Sequence, residues 1–150
     1  MQGLRWLQMT DPEIDEFLGR GGTGVLSFGA GRDASPATIP VSYGYDAAER
    51  AFFFRLSVAP DRRKATLVER PVTVVVYDET ESGWRSVVAV GELADLSALP
   101  YESSAIQGMW SIRIPEVDIF DRPRDEIEFR DFRLAPERLQ GRKEVESTDD

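Results

Sequence analysis

The chain has 150 residues, with 18 basic and 27 acidic side chains and a formal net charge of −9. It holds neither cysteine nor histidine, which excludes disulfides, thiolate or imidazole metal ligation, cysteine nucleophiles and Ser-His-Asp catalysis. The length suits one domain spanning 1–150, and roughly 68–70% of the unfolded surface is buried at this size, enough for a core without staples.

The segment MQGLRWLQMTDPE lacks an apolar stretch and a cleavage site, so it does not read as a signal peptide. Residues 1–8 are expected to be a flexible tail. Thr10 and Glu13 then form a T-x-x-E capping box, with Pro12 in the first turn and Met9 and Ile14 as a hydrophobic staple. Ile14, Phe17 and Leu18 recur with helical spacing. Gly19, Gly21 and Gly22 end the helix.

The period then changes to two. Residues 23–28 and 37–45 read as strands flanking a turn at 32–36, with Ile39, Val41 and Tyr43 on one face of the second. Pro40 lacks a ladder donor and belongs at an edge or bulge. A hairpin turn at 46–50 leads into a third strand, 51–57. Residues 61–70 read as a short helix stopped by Pro71. The β-branched run 72–77 is a buried strand, 78–83 a polar turn, and 84–93 a long strand. Weaker signals place a helix at 100–110, a short strand at 110–114 and a charged, turn-rich segment at 115–125. A final strand spans 127–134, and residues 143–150 are expected to be a second flexible tail. Helices among hairpin-joined strands imply a mainly β fold, an antiparallel Greek-key-like barrel.

The acidic balance argues against nucleic acid as a partner. No apolar run approaches the ~20 residues that span a bilayer, so the expected location is the cytoplasm. Arginines number 16 and lysines two, Lys64 and Lys143. Acid excess with scarce lysine is the pattern of a salt-adapted, haloarchaeal-type surface; a GC-rich genome also favours arginine.

Three segments carry candidate chemistry. Arg55, Arg62, Arg63 and Lys64 fall within ten residues. Arg55 and Ser57 share a strand face, and the other three occupy the first turn of the expected helix. Cations there oppose the helix dipole unless an anion binds. The cluster reads equally as a phosphate site or as a solvated charged turn. Trp84 and Ser86 share a face on which an indole and a hydroxyl suit a planar ligand, or the end of a barrel core. Pro40, Val41, Ser42 and Tyr43 form the third segment, on a strand whose proline implies a free edge.

These pieces in order, GVLSF, IPVSYGY, FFFRLS, RRKATLVERP, VTVVVY and WRSVVAVGEL, resemble the pyridoxamine 5'-phosphate oxidase-like FMN-binding split barrels. The resemblance covers residues 9–96. It implies a split β-barrel homodimer with FMN in the interface clefts. It implies that Arg55, Ser57, Arg62, Arg63 and Lys64 hold the flavin phosphate. It places the isoalloxazine ring against Pro40, Val41, Ser42 and Tyr43, and brings Trp84 and Ser86 from the partner subunit. The family's named oxidases carry an Arg-x-His element that grips substrate; a chain without histidine lacks it, so pyridoxamine phosphate is not the expected substrate. Arg142 and Lys143 receive no separate role. The implied activity is a flavin-dependent oxidoreductase fed by a small electron donor such as a nicotinamide or a deazaflavin. The alternative is non-catalytic binding or sensing of FMN, deazaflavin or another phosphorylated ligand.

Overall fold

The computed structural model describes residues 3–29, 37–58, 70–96 and 128–147. These form β1 (Gly3–Gln8), α1 (Asp11–Leu18), β2 (Gly21–Phe28), β3 (Ala37–Asp46), β4 (Ala51–Val58), β5 (Pro71–Thr80), β6 (Gly83–Asp95), β7 (Glu128–Leu134) and β8 (Arg138–Ser147). The expected turn at 32–36, the helix within 61–69 and the elements placed at 100–125 lie outside the described residues.

Among the described residues every strand pairing is antiparallel. Strands β6, β5, β2, β3, β4 and β7 follow one another in space, and β7 returns to β6. Six strands therefore close a barrel. The passage from β4 to β5 leaps two strands to bring β5 beside β2, as in a Greek key. The split lies within β6, whose Arg85–Val90 pair with β8 while Leu93–Asp95 pair with β7. Gly91 separates the two pairings. A Cβ there would lie 2.8 Å from Leu134 Cδ1 and 3.1 Å from the Ala135 carbonyl oxygen. The Glu137 N–H donates to the Val90 carbonyl at 2.8 Å and fixes the turn from β7 to β8.

The interior is aromatic and β-branched. Tyr45, Phe52, Phe54, Phe132, Leu26, Val72, Val74 and Val87 are fully buried. Phe52 stacks on Phe54 with ring centroids 6.3 Å apart, and Tyr45 tilts against Phe52 at 5.1 Å. Helix α1 spans only 8 residues, too few to hold alone in water. It is retained by Met9, Ile14 and Leu18, which join the barrel core. The Tyr45 hydroxyl adds a bond to Asp15 at 2.6 Å. The capping box forms as expected: Thr10 Oγ1 accepts from the Glu13 N–H, and the Glu13 carboxylate accepts from the Thr10 N–H at 3.0 Å.

The ends differ from the sequence reading. Residues 3–8 pair with 142–147, where flexible tails at 1–8 and 143–150 are expected. Gly21 and Gly22 open β2; the bare face of Gly22 meets the Tyr43 ring. The polar turn at 78–83 shrinks to Glu81 and Ser82, because β5 and β6 stay in register to Thr80↔Gly83. On β7, Phe132 and Leu134 are buried, and the largely buried Arg130 and Asp95 side chains approach to 4.0 Å. Among the described residues no helix is long and apolar enough to cross a membrane.

Candidate functional site

Strand β3 is paired with β2 from Ala37 to Gly44, including Val25↔Pro40 and Thr23↔Ser42. Its other edge is different. Tyr43–Asp46 pair with Ala51–Phe54 of β4, and the ladder stops there. Among the described residues, 37–42 of β3 then have no neighbour on that side. Strand β4 meanwhile continues along β7 as far as Val58↔Glu128. The barrel wall thus opens between β3 and β4. Pro40 stands on the open stretch, where a missing ladder donor breaks nothing.

Ser42 and Arg55 are the first residues past the last β3–β4 pair. Ser42 is 8% exposed, and its Oγ has no hydrogen-bond partner. A buried hydroxyl left unpaired costs about 1–3 kcal/mol, so the position suits an arriving polar atom. Arg55 is exposed, and its Nε donates to Asp131 Oδ1 across the β4–β7 ladder at 2.9 Å. An exposed pair of this kind contributes about 0–1 kcal/mol. Its value here is orientation: the guanidinium is held by one edge, leaving its fork available for an anion.

Not all residues expected at the site point into it. Val41 and Tyr43 are buried in the barrel core. The Tyr43 hydroxyl donates to the Leu18 carbonyl at 3.2 Å, and burial pushes the phenol up to about 12. Strand alternation puts Pro40 and Ser42 on the opposite face, so Val41 and Tyr43 border the opening through backbone alone. Ser57 lies on β4 opposite Phe129; its side chain, and all of Arg62, Arg63 and Lys64, lie outside the described residues.

Trp84 and Ser86 occupy β6, separated from β3 by β5 and β2. Within one chain they do not join the opening. Ser86 pairs with Tyr77 on β5 and with Arg142 on β8. Trp84 tilts against Tyr77 with ring centroids 6.3 Å apart. Tyr77 at 62%, Trp84 at 38% and Val88 at 38% exposure make an uncovered apolar strip on the outer wall. Tyr77, Phe129 and Asp131 escaped the sequence reading. The run 72–77 reads as wholly buried, so its terminal tyrosine carries no mark of exposure. The alternation of 127–134 leaves the outward face of that strand open.

A family model described as pyridoxamine 5'-phosphate oxidase matches residues 10–143. No curated protein matches significantly in sequence. Solved structures share the fold. A FAD-binding protein from Mycobacterium smegmatis is 13% identical with a TM-score of 0.66, over 91% of this chain and 98% of that one. A FAD-binding protein from Mesorhizobium loti is 18% identical with a TM-score of 0.61, over 95% and 99%. A conserved protein of unknown function from Corynebacterium diphtheriae is 16% identical with a TM-score of 0.63, over 93% and 98%. These likenesses carry nothing about a salt-adapted origin.

Proposed function

The chain belongs to the pyridoxamine 5'-phosphate oxidase family, and from that premise we propose that it binds a flavin nucleotide in the opening between β3 and β4. The observation that carries this reading is the unpaired, buried Ser42 Oγ at the mouth of a barrel wall that parts at Tyr43 and Phe54. Free backbone groups of β3 and the Ser42 hydroxyl suit the polar edge of a flavin ring. Arg55 on β4, with Arg62, Arg63 and Lys64 further along the chain, supplies the charge for its phosphate, and Ser57 a hydroxyl donor. FMN is the smallest flavin offering both features. Two structural neighbours are FAD-binding proteins, which supports a flavin.

The working unit in this reading is a homodimer. The strip of Tyr77, Trp84 and Val88 is uncovered in one chain, and a second copy laid against it would bring Trp84 and Ser86 to the flavin. Bound flavin supplies hydride or electron transfer, and the protein supplies binding, orientation and a dry cleft. The reaction we propose is oxidation of a small donor, a reduced nicotinamide or a reduced deazaflavin, with its two electrons passed on to a small-molecule acceptor (dioxygen in the aerobic test below), in the cytoplasm. Pyridoxamine phosphate is not proposed as the substrate. The acid-rich surface goes with function at high salt.

The test is a visible spectrum of purified protein after loading with FMN and desalting, followed by aerobic mixing with reduced nicotinamide. Retained flavin absorbance and steady oxidation of the donor are expected. A protein that keeps flavin but turns over no donor is a binding or sensing protein. A colourless protein overturns the flavin reading.

A further inference from the structure

The hairpin that closes the β3–β4 ladder carries a strained residue. Asp46 pairs with Ala51, and the turn between them runs through residues 47–50. Arg50 sits at φ 52°, the one non-glycine residue with positive φ among the described residues. Glycine or asparagine takes that conformation more readily than a long side chain. What the arginine side chain reaches accounts for its place there. Its Nη1 lies 2.8 Å from Asp11 Oδ2 and its Nη2 3.8 Å from Asp15 Oδ1, two carboxylates one turn apart on α1. The same Asp15 oxygen accepts from the Tyr45 hydroxyl. The Tyr45 N–H donates to the Arg20 carbonyl at 3.0 Å, and the Tyr43 hydroxyl donates to the Leu18 carbonyl. On the other side of the turn, Glu49 accepts from Arg133 of β7 at 3.0 Å. The closed half of the hairpin, Tyr43–Asp46 with Ala51–Phe54, is thus fastened to α1 and to β7 right up to the point where the strands part.

We propose that Arg50 is a positioning residue for the flavin opening: by clasping the closed end of the hairpin to α1, it fixes how far β3 and β4 diverge at Ser42 and Arg55. The inference rests on the flavin reading above and adds how that same site is held. About 13 Å of strand separates Asp46 from Ser42, so Arg50 touches no ligand and acts through the two strands. The clasp is partly exposed, and as an ion pair alone it contributes little to global stability. Its effect is that an arriving ligand meets a hairpin already ordered. Backbone ease and ligand affinity are then opposed at this residue: a side chain suited to positive φ relaxes the turn and loosens the site.

The full-length protein, stripped of flavin, is titrated with FMN by fluorescence quenching, and the urea midpoint of each variant is measured alongside. Arg50→Asn places a residue that tolerates positive φ and removes the guanidinium. It is expected to bind FMN about three- to tenfold more weakly, the range for ordering about one side chain, with a urea midpoint at or above that of wild type. Asp11→Asn, at the other end of the 2.8 Å contact, is expected to weaken FMN binding as well. The double variant is expected to bind FMN no more weakly than Arg50→Asn, because both substitutions remove one contact. Wild-type FMN affinity in Arg50→Asn overturns the proposal and leaves the flavin reading intact. A urea midpoint that falls together with FMN affinity also overturns it, since that is a loss of fold. Losses that add in the double variant put the two residues on separate effects and overturn it too. A wild type that binds no FMN overturns this proposal and the flavin reading together.

Discussion

Glu13 links three parts of the chain through one carboxylate. It accepts from the Thr10 N–H at 3.0 Å and from Lys143 Nζ at 2.5 Å, tying the start of α1 to β8. The Lys143 hydrogen bond, then the Thr10 N–H, lower its pKa from 4.5 to about 2. A folded-state pKa below the unfolded value means stability that is complete above about 4.5 and lost as pH falls towards about 2. Lys143→Met removes the largest cause of that shift. Urea midpoints measured at pH 6 and pH 3 should therefore fall less for the variant than for wild type. An identical fall in both would show that Lys143 does not act on this carboxylate. Tyr45 presents the complementary case. Its hydroxyl is bonded to Asp15 at 2.6 Å, and burial, then Asp15, raises its pKa. Tyr45→Phe deletes a bond to a charged acceptor and should destabilise by about 1.5–3 kcal/mol in a denaturant titration. The phenol stays protonated through the working pH range, so the loss should be the same at pH 6 and pH 8.

At the scale of elements, signals contained in a few neighbouring residues are the ones that could be read directly. The α1 start needs only Thr10, Pro12 and Glu13, and the helix begins where those residues put it. Thr10→Ala removes the cap and should lower stability by about 1 kcal/mol; an unchanged thermal midpoint would mean that core contacts alone hold α1. Strands β2 to β6 were legible because their inward faces are apolar at every second position. The terminal ladder was not. Trp6 and Leu7 are both exposed although they point to opposite faces, and β8 is RLQGRKEVES. On β8 only Leu139 packs apolar side-chain surface against the core, followed on that face by Gly141 and Lys143, so neither strand leaves a clear period-two pattern. They form because β6 is long enough to outrun β7 and offers β8 a free edge. Gly141 then receives α1: a Cβ there would lie 2.8 Å from Met9 Sδ and 2.9 Å from Ile14 Cγ1. Gly141→Val should cost about 1–3 kcal/mol through overpacking, readable as a lowered denaturant midpoint.

At the scale of the whole molecule, the order of strand segments was legible, and the parting of β3 from β4 was only half so. Pro40 announces a free edge, but nothing local says where the ladder stops or that Ser42 is buried on the outer face. Those facts depend on how six strands close around one set of aromatic side chains. The same limit applies to assembly. A chain carrying −9 that pairs through the Tyr77–Trp84–Val88 strip brings two negative bodies together. Screening shortens their repulsion from a reach of about 10 Å at 0.1 M salt to about 3 Å at 1 M. Dimerisation should therefore tighten with salt, while an apolar contact sets where the copies meet. Light scattering behind a sizing column at 0.1 M and 2 M sodium chloride should show the dimer loosening at the lower concentration. Trp84→Glu should remain monomeric at 0.1 M and shed its flavin there, because a charge replaces the indole at the contact. Equal dimerisation at both salt concentrations would remove the case for a salt-adapted surface. A dimer unaffected by Trp84→Glu would move the contact off this strip and take Trp84 and Ser86 out of the flavin site.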